Sequence, residues 1–170
     1  MEPDETDRFW MMRALQLAAL ARDAGEVPVG AVVVSEGKEI GSGFNAPISG
    51  CDPTAHAEIQ ALRSAARRVG KYRLPEATLY VTLEPCTMCV GAIVHSRITR
   101  LVYGAIEPKA GAVESARQTL QDEHFNWQVA ATGGVLAAEC SAVIQRFFAG
   151  RREAHRLRKQ ALSGKEQSQS

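Results

Sequence analysis

Apolar positions recur along this chain in two alternating rhythms, and their order predicts an architecture. Phe9, Met12, Leu15, Leu17 and Leu20 give residues 6–24 the repeat of a helix, with Gly25 as its stop. A β-branched run at 29–35 and a second stretch at 38–44 predict two strands turned at Glu36-Gly37. Asp52-Pro53-Thr54 opens a helix over 52–69, with aspartate suited to the cap and proline to the first turn. A strand at 77–83, a helix from Pro85 to His95 and a strand at 99–103 follow. Residues 107–126 read mainly as loop, with a short helix near 115–120, then a last strand at 128–132 and a long helix at 136–162. A helix, a hairpin and then strands alternating with helices imply an α/β fold. It is a three-layer α/β/α sandwich, a mixed five-stranded sheet flanked by helices.

Composition narrows the class. The chain has 170 residues, 45% hydrophobic and 23% charged, the usage of one ordinary globular domain. A single domain is expected over 1–162 and a disordered tail, rich in Ser, Gln, Gly and Lys, over 163–170. Four scattered cysteines do not make a disulfide framework. The N-terminus is acidic where a secretory signal is basic and then apolar. The most apolar stretch, 11–20, carries Arg13 and Gln16 and falls short of a membrane span. A cytoplasmic protein with reduced thiols, independent of membranes, is the expectation. Net charge is only +1, but residues 140–170 hold seven basic side chains against two acidic ones, a net of +5. Arg67, Arg68, Lys71 and Arg73 form a second basic cluster. Both suit a polyanion, and both equally suit a solvated helix face.

The chemistry concentrates in His56-Ala57-Glu58 and in Glu84-Pro85-Cys86-Thr87-Met88-Cys89. Zinc favours imidazole and thiolate, and a catalytic site leaves its fourth position to water. Cysteines three apart at a helix start face the same way, and the positive end of the helix dipole favours their thiolates. Glu58 lies too close to His56 to share a helical face with it, and is better placed to exchange protons with a water on the metal. Cys-x-x-Cys alone also fits a redox pair, which leaves His56 and Glu58 unexplained. It fits a closed structural zinc site too, for which Cys51 or His95 would supply the fourth ligand.

His-x-Glu followed by Pro-Cys-x-x-Cys is the pattern of zinc-dependent nucleobase deaminases. Further blocks, EVPVGAV at 26–32, DPTAHAEI at 52–59, LYVTLEPC at 79–86 and GAIVHSRI at 91–98, resemble bacterial tRNA adenosine deaminases of the TadA family over about residues 6–158. That resemblance implies a cytidine-deaminase-like fold, a homodimer, one zinc ion per subunit and no organic cofactor. The implied reaction is hydrolysis of the wobble adenosine of an arginine tRNA anticodon to inosine, with zinc-activated water attacking adenine C6. His56, Cys86 and Cys89 would hold the metal, and Glu58 would carry protons to N1 and to the leaving amine. The resemblance also brings Asn45 and the Ala57 N–H to the base, and makes Val29, Leu83 and Glu84 pocket walls. Glu107 stands where relatives often carry aspartate, in a loop, with Lys109, that reaches the anticodon backbone.

Other residues carry two readings. Phe147 and Phe148 share a turn with Val143 and Ile144, so core packing is the default and stacking on splayed RNA bases the alternative. Arg151 and Arg152, next on the same helix, are the stronger RNA candidates. His95 suits a helix end, and Cys51 a bystander in the loop before His56. A deaminase of free guanine, cytosine or nucleosides, and a non-catalytic zinc-stabilised RNA-binding module, are the rival functions.

Overall fold

The computed structural model describes residues 3–169. Its elements are α1 (Pro3–Asp23), β1 (Gly30–Ser35), β2 (Lys38–Phe44), α2 (Ala57–Val69), β3 (Thr78–Leu83), α3 (Thr87–His95), β4 (Arg100–Ala105), a 3-10 turn (Thr119–Gln121), β5 (Ala130–Thr132) and α4 (Ala137–Gln167). The strands form one sheet in the order β2-β1-β3-β4-β5. β1 is antiparallel to both β2 and β3, while β3, β4 and β5 run parallel. The hairpin turns at Glu36 and Gly37, both at positive φ (51° and 72°), as a two-residue turn matching strand twist requires.

Alternation along the central strands sends side chains to two cores. Ala31, Val33, Leu79, Val81 and Leu101 pack with Ala61 and Leu62 of α2 and Val90 and Ile93 of α3. Val32, Val34, Tyr80 and Val102 face Met11, Ala14 and Leu17 of α1 and Cys140 of α4. The three-layer sandwich is therefore present, with α2 and α3 on one face and α1 and α4 on the other. Each buried Val or Leu contributes about 1.5–3 kcal/mol. Asp7 anchors α1 to the sheet through two bonds from Arg100, both 2.7 Å, and one from the Tyr80 hydroxyl at 3.1 Å. Among the described residues no helix is long and apolar enough to cross a membrane.

One seam fixes the site. Ala57, Ala61 and Ala65, spaced by four on α2, lie against Gly41 and Gly43, spaced by two on β2. A Cβ on Gly43 would sit 2.6 Å from the Ala61 nitrogen and 2.9 Å from the Ala57 carbonyl oxygen. Only glycine allows the helix backbone so near the strand.

Several element boundaries move from where the sequence puts them. α2 begins at Ala57 rather than at Asp52, because the Asp52 carboxylate accepts the Thr54 N–H (2.8 Å) and hydroxyl (2.7 Å) and closes a turn instead. α3 begins at Thr87 rather than at Pro85: Cys86 pairs with Gly111 in an isolated antiparallel bridge, and the Pro85 carbonyl accepts the Ala112 N–H. The helix expected near 115–120 is reduced to the turn Thr119–Gln121, and the N–H groups of Glu114 and Ser115 before it bond the Glu84 carboxylate. β5 is shorter than expected and β4 runs on to Ala105. α4 passes the expected end at Leu162 and continues through Gly164 to Gln167, so residues 163–167 are helical where composition suggests a disordered tail. A single glycine costs only about 1 kcal/mol in a helix, and no proline interrupts the run.

Candidate active site

Two helix starts meet at the carboxyl ends of β3 and β4, the side of an α/β sheet where ligands bind. His56 is the N-cap of α2 (φ −70°, ψ 154°) and Cys86 the N-cap of α3 (φ −79°, ψ 175°), both in extended backbone. Cys89 follows three residues later, in the first turn of α3. The Nδ1 of His56 lies 3.6 Å from each sulfur, and the three ligand atoms fall within 4.8 Å of one another. Tetrahedral zinc, with Zn–N about 2.0 Å and Zn–S about 2.3 Å, sets nitrogen and sulfur about 3.6 Å apart, so the donor set and its spacing both fit that ion. The rival fourth ligands are elsewhere: Cys51 and His95 are exposed, and neither joins the cluster.

The three donors perturb one another electrostatically. Cys86 is held low, at about 3, first by its hydrogen bond from Cys89 and then, against burial, by His56. Cys89 moves up because it donates to Cys86 and is buried. His56 is raised, first by its bond with Cys86. Glu58 is only 4% exposed, and burial pushes its carboxyl above the usual range, against a hydrogen bond from Cys89. Its oxygens stand outside the three-ligand cluster.

A cavity of about 230 Å³ opens here, lined by His56, Glu58 and Cys86, smaller than a drug-sized site and suited to a single base. Val29 and Leu83 line it with apolar side chains, and Asn45 and Glu107 line it as well. Ala57 is fully buried in the first turn of α2, where an N–H has no partner within the helix. Val27 and Ala110 also line the cavity. Sequence reasoning missed both, because small apolar residues in loops carry no local signal.

Two buried acids flank the cavity. Glu26, 1% exposed, accepts the N–H groups of Ile48 (3.1 Å) and Ser49 (2.9 Å) and the Ser49 hydroxyl, fixing the loop after Asn45. Glu84 lines the cavity as expected, but its carboxylate is spent on the opposite loop, accepting the N–H of Glu107, Val113, Glu114 and Ser115. In both, burial works against ionisation and the donated hydrogen bonds outweigh it, holding each carboxyl below its ordinary range. The role of Glu26 leaves no trace in the sequence, since its partners are more than 20 residues away.

The RNA-contact candidates lie outward. Glu107 is half-buried and accepts the Lys109 N–H (3.0 Å), and Lys109 is exposed. Phe147 and Phe148 belong to neither core, which corrects the packing default: Phe148 is 41% exposed and its ring meets Phe147 edge-on at 5.5 Å. Cys140 is the buried residue of α4, and beyond Ile144 the helix is mostly exposed. Arg151 stacks 4.8 Å over the Phe147 ring and donates to the Gly25 carbonyl beside Glu26. Arg152 is exposed.

Residues 4–105 match the model of a protein family described as the cytidine and deoxycytidylate deaminase zinc-binding region. The chain is 51% identical to the tRNA-specific adenosine deaminase of Haemophilus influenzae, over 93% of this chain and 92% of the relative. It is 40% identical to the protein of that name from Bacillus subtilis, over 92% and 98%. A solved structure from work on A-to-I editing by tRNA:A34 deaminases at the wobble position superposes with a TM-score of 0.76 at 44% identity, covering 78% of this chain and 96% of the other.

Proposed function

This chain belongs to the cytidine and deoxycytidylate deaminase zinc-binding family, and we propose that it is a tRNA adenosine deaminase. It hydrolyses the wobble adenosine of an arginine tRNA anticodon to inosine and releases ammonia. The observation that carries this reading is the triangle of His56 Nδ1 and two sulfurs, of zinc-ligand size, beside a buried carboxylate in a one-base cavity.

His56, Cys86 and Cys89 would hold zinc, which when bound would supply a water acidic enough to attack carbon near neutral pH. In the net hydrolysis a water oxygen ends on adenine C6 and the C6–N6 bond breaks. Glu58, whose raised affinity for protons follows from burial, takes one proton from the attacking water and delivers it to ring N1, then takes the second from the hydroxyl now on C6 and gives it to the departing amine, which leaves as ammonia, work worth about 10²–10⁴-fold in rate. The Asn45 amide and the Ala57 N–H hold the base edge, while Val29 and Leu83 enclose its faces. An anticodon loop already exposes its bases, so extruding one costs only a few kcal/mol.

Outside the cavity, Glu107 and Lys109 meet the anticodon backbone, Phe147 and Phe148 offer stacking surfaces, and Arg151 and Arg152 face phosphates. One deaminase domain carries all of this and works as a homodimer, a state supported by the apolar groove between α2 and α3 lined by Leu62, Ala66, Tyr72 and Ala92. A tRNA substrate assigns the work to the cytoplasm.

The test incubates zinc-loaded protein with a short anticodon stem-loop carrying wobble adenine, and separately with free adenosine, cytidine and guanine. Inosine is expected from the stem-loop alone. Turnover of a free base or nucleoside without RNA would overturn the tRNA assignment, and stem-loop binding without ammonia would reduce the protein to a binding module.

A further inference from the structure

Glu84 sits between the last residue of β3 and the metal-bearing turn Pro85-Cys86. Its carboxylate, 2% exposed, reaches across to the segment 107–115 and holds it at both ends. Oε1 accepts the Glu107 N–H at 3.0 Å and the Ser115 hydroxyl. Oε2 accepts the N–H groups of Val113 at 3.1 Å, Glu114 at 2.9 Å and Ser115 at 3.0 Å. No lysine or arginine takes part in these bonds, so the negative charge is met by four backbone N–H groups and one hydroxyl, the arrangement that makes a cluster of N–H groups an anion site. Gly111, in the middle of the segment, lies directly on the carboxylate, and a Cβ there would land on it. Glu107 and Ala110, carried by the same segment, line the cavity opposite Val29 and Asn45.

We infer that Glu84 is a positioning residue: its charge sets the distance between the metal-bearing turn and the cavity wall that the RNA strand crosses. The inference rests on the tRNA reading above. The carboxylate touches neither the base nor the strand. It acts through Glu107 and Lys109, so its loss weakens capture of RNA more than the chemical step. Glutamine is the informative replacement, since its NH₂ keeps the size but turns an acceptor into a donor aimed at N–H groups.

The experiment uses the full zinc-loaded chain with Glu84→Gln, Glu84→Asp and Gly111→Ala, the last leaving the charge in place but driving a methyl group onto it. Zinc content, steady-state kinetics on the anticodon stem-loop and amide hydrogen exchange over 107–115 are measured. Both Glu84→Gln and Gly111→Ala are expected to raise KM about tenfold or more while kcat falls less than about threefold. Exchange in 107–115 is expected to quicken at least about tenfold, with the rest of the chain unchanged and zinc retained. Glu84→Asp keeps the charge with a shorter reach and is expected to fall between wild type and Glu84→Gln.

A KM within about twofold of wild type, or a fall in kcat alone, overturns the inference. So does loss of zinc, which would make Glu84 a support of the metal turn. If the wild-type protein makes no inosine, the tRNA reading fails, and exchange still decides the positioning role: unchanged protection over 107–115 in Glu84→Gln overturns it.

Discussion

Replacing Glu58 with glutamine removes a proton carrier and alters little else. The side chain is 4% exposed in the first turn of α2, and glutamine has nearly the same volume, so no hole opens beside the cavity it lines. The carboxylate stands outside the three-ligand cluster, so the metal keeps its full protein ligand set. Burial already disfavours the charged form of Glu58, and a neutral amide avoids that cost. Folding stability is therefore expected to change by less than about 1–2 kcal/mol. Catalysis loses the shuttle to N1 and to the leaving amine, about 10²–10⁴-fold in rate. At 1.36 kcal/mol per decade the barrier rises by about 2.7–5.4 kcal/mol. The assay follows inosine formed on the stem-loop under single turnover, alongside zinc content and the thermal midpoint. Turnover within about threefold of wild type, with zinc retained, would refute the proton role. Loss of zinc together with activity would show that Glu58 supports the metal instead.

Four further expectations follow from the geometry. His56→Ala and Cys86→Ser each remove one of three ligands, so both are expected to lose zinc and activity; full metal occupancy in either would contradict the ligand assignment. Arg151→Gln with Arg152→Gln should flatten the dependence of log affinity on log salt by about 1.4, at roughly 0.7 per phosphate contact on a single strand, and an unchanged slope would remove both from the RNA interface. Glu26 and Glu84 have folded-state pKa values below their unfolded ones; the unfolded chain binds more protons, so their contribution is full at pH 7 and lost as pH falls through the carboxylate range. Urea midpoints at pH 7 and pH 4 check this, and greater stability at pH 4 would reverse the sign. Gly43→Ala drives a methyl group to 2.6 Å from the Ala61 nitrogen and should cost about 1–3 kcal/mol of stability, together with kcat, because the start of α2 must shift; a neutral outcome in urea unfolding would deny the close contact.

The fold was legible where periodicity and turn chemistry agree. Glu36-Gly37 announces its hairpin, and the alternation of strands and helices yields the three layers. The metal cluster was legible because its chemistry demands particular residue types at short spacing, His-x-Glu and Cys-x-x-Cys. What escaped depends on partners distant in sequence. Asp52 looks like a helix cap until its side chain is seen to close a turn with Thr54. Glu84 reads as a cavity wall until Val113, Glu114 and Ser115 supply their N–H groups from about 30 residues away. Phe147 and Phe148 show helical apolar spacing identical to a core face, yet both lie outside the two cores, on a helix whose buried residue is Cys140.

The glycine–alanine seam between β2 and α2 divides the molecule's capacity for change. Pressed backbone to backbone, that helix has no room to tilt, so the imidazole and the acid it presents are as fixed as the sheet itself. The cavity's outer walls have the opposite character: they hang on two loops, each pinned by one carboxylate. New substrate preferences can therefore evolve, or be engineered, by rewriting those loops while the reacting groups stay where they are.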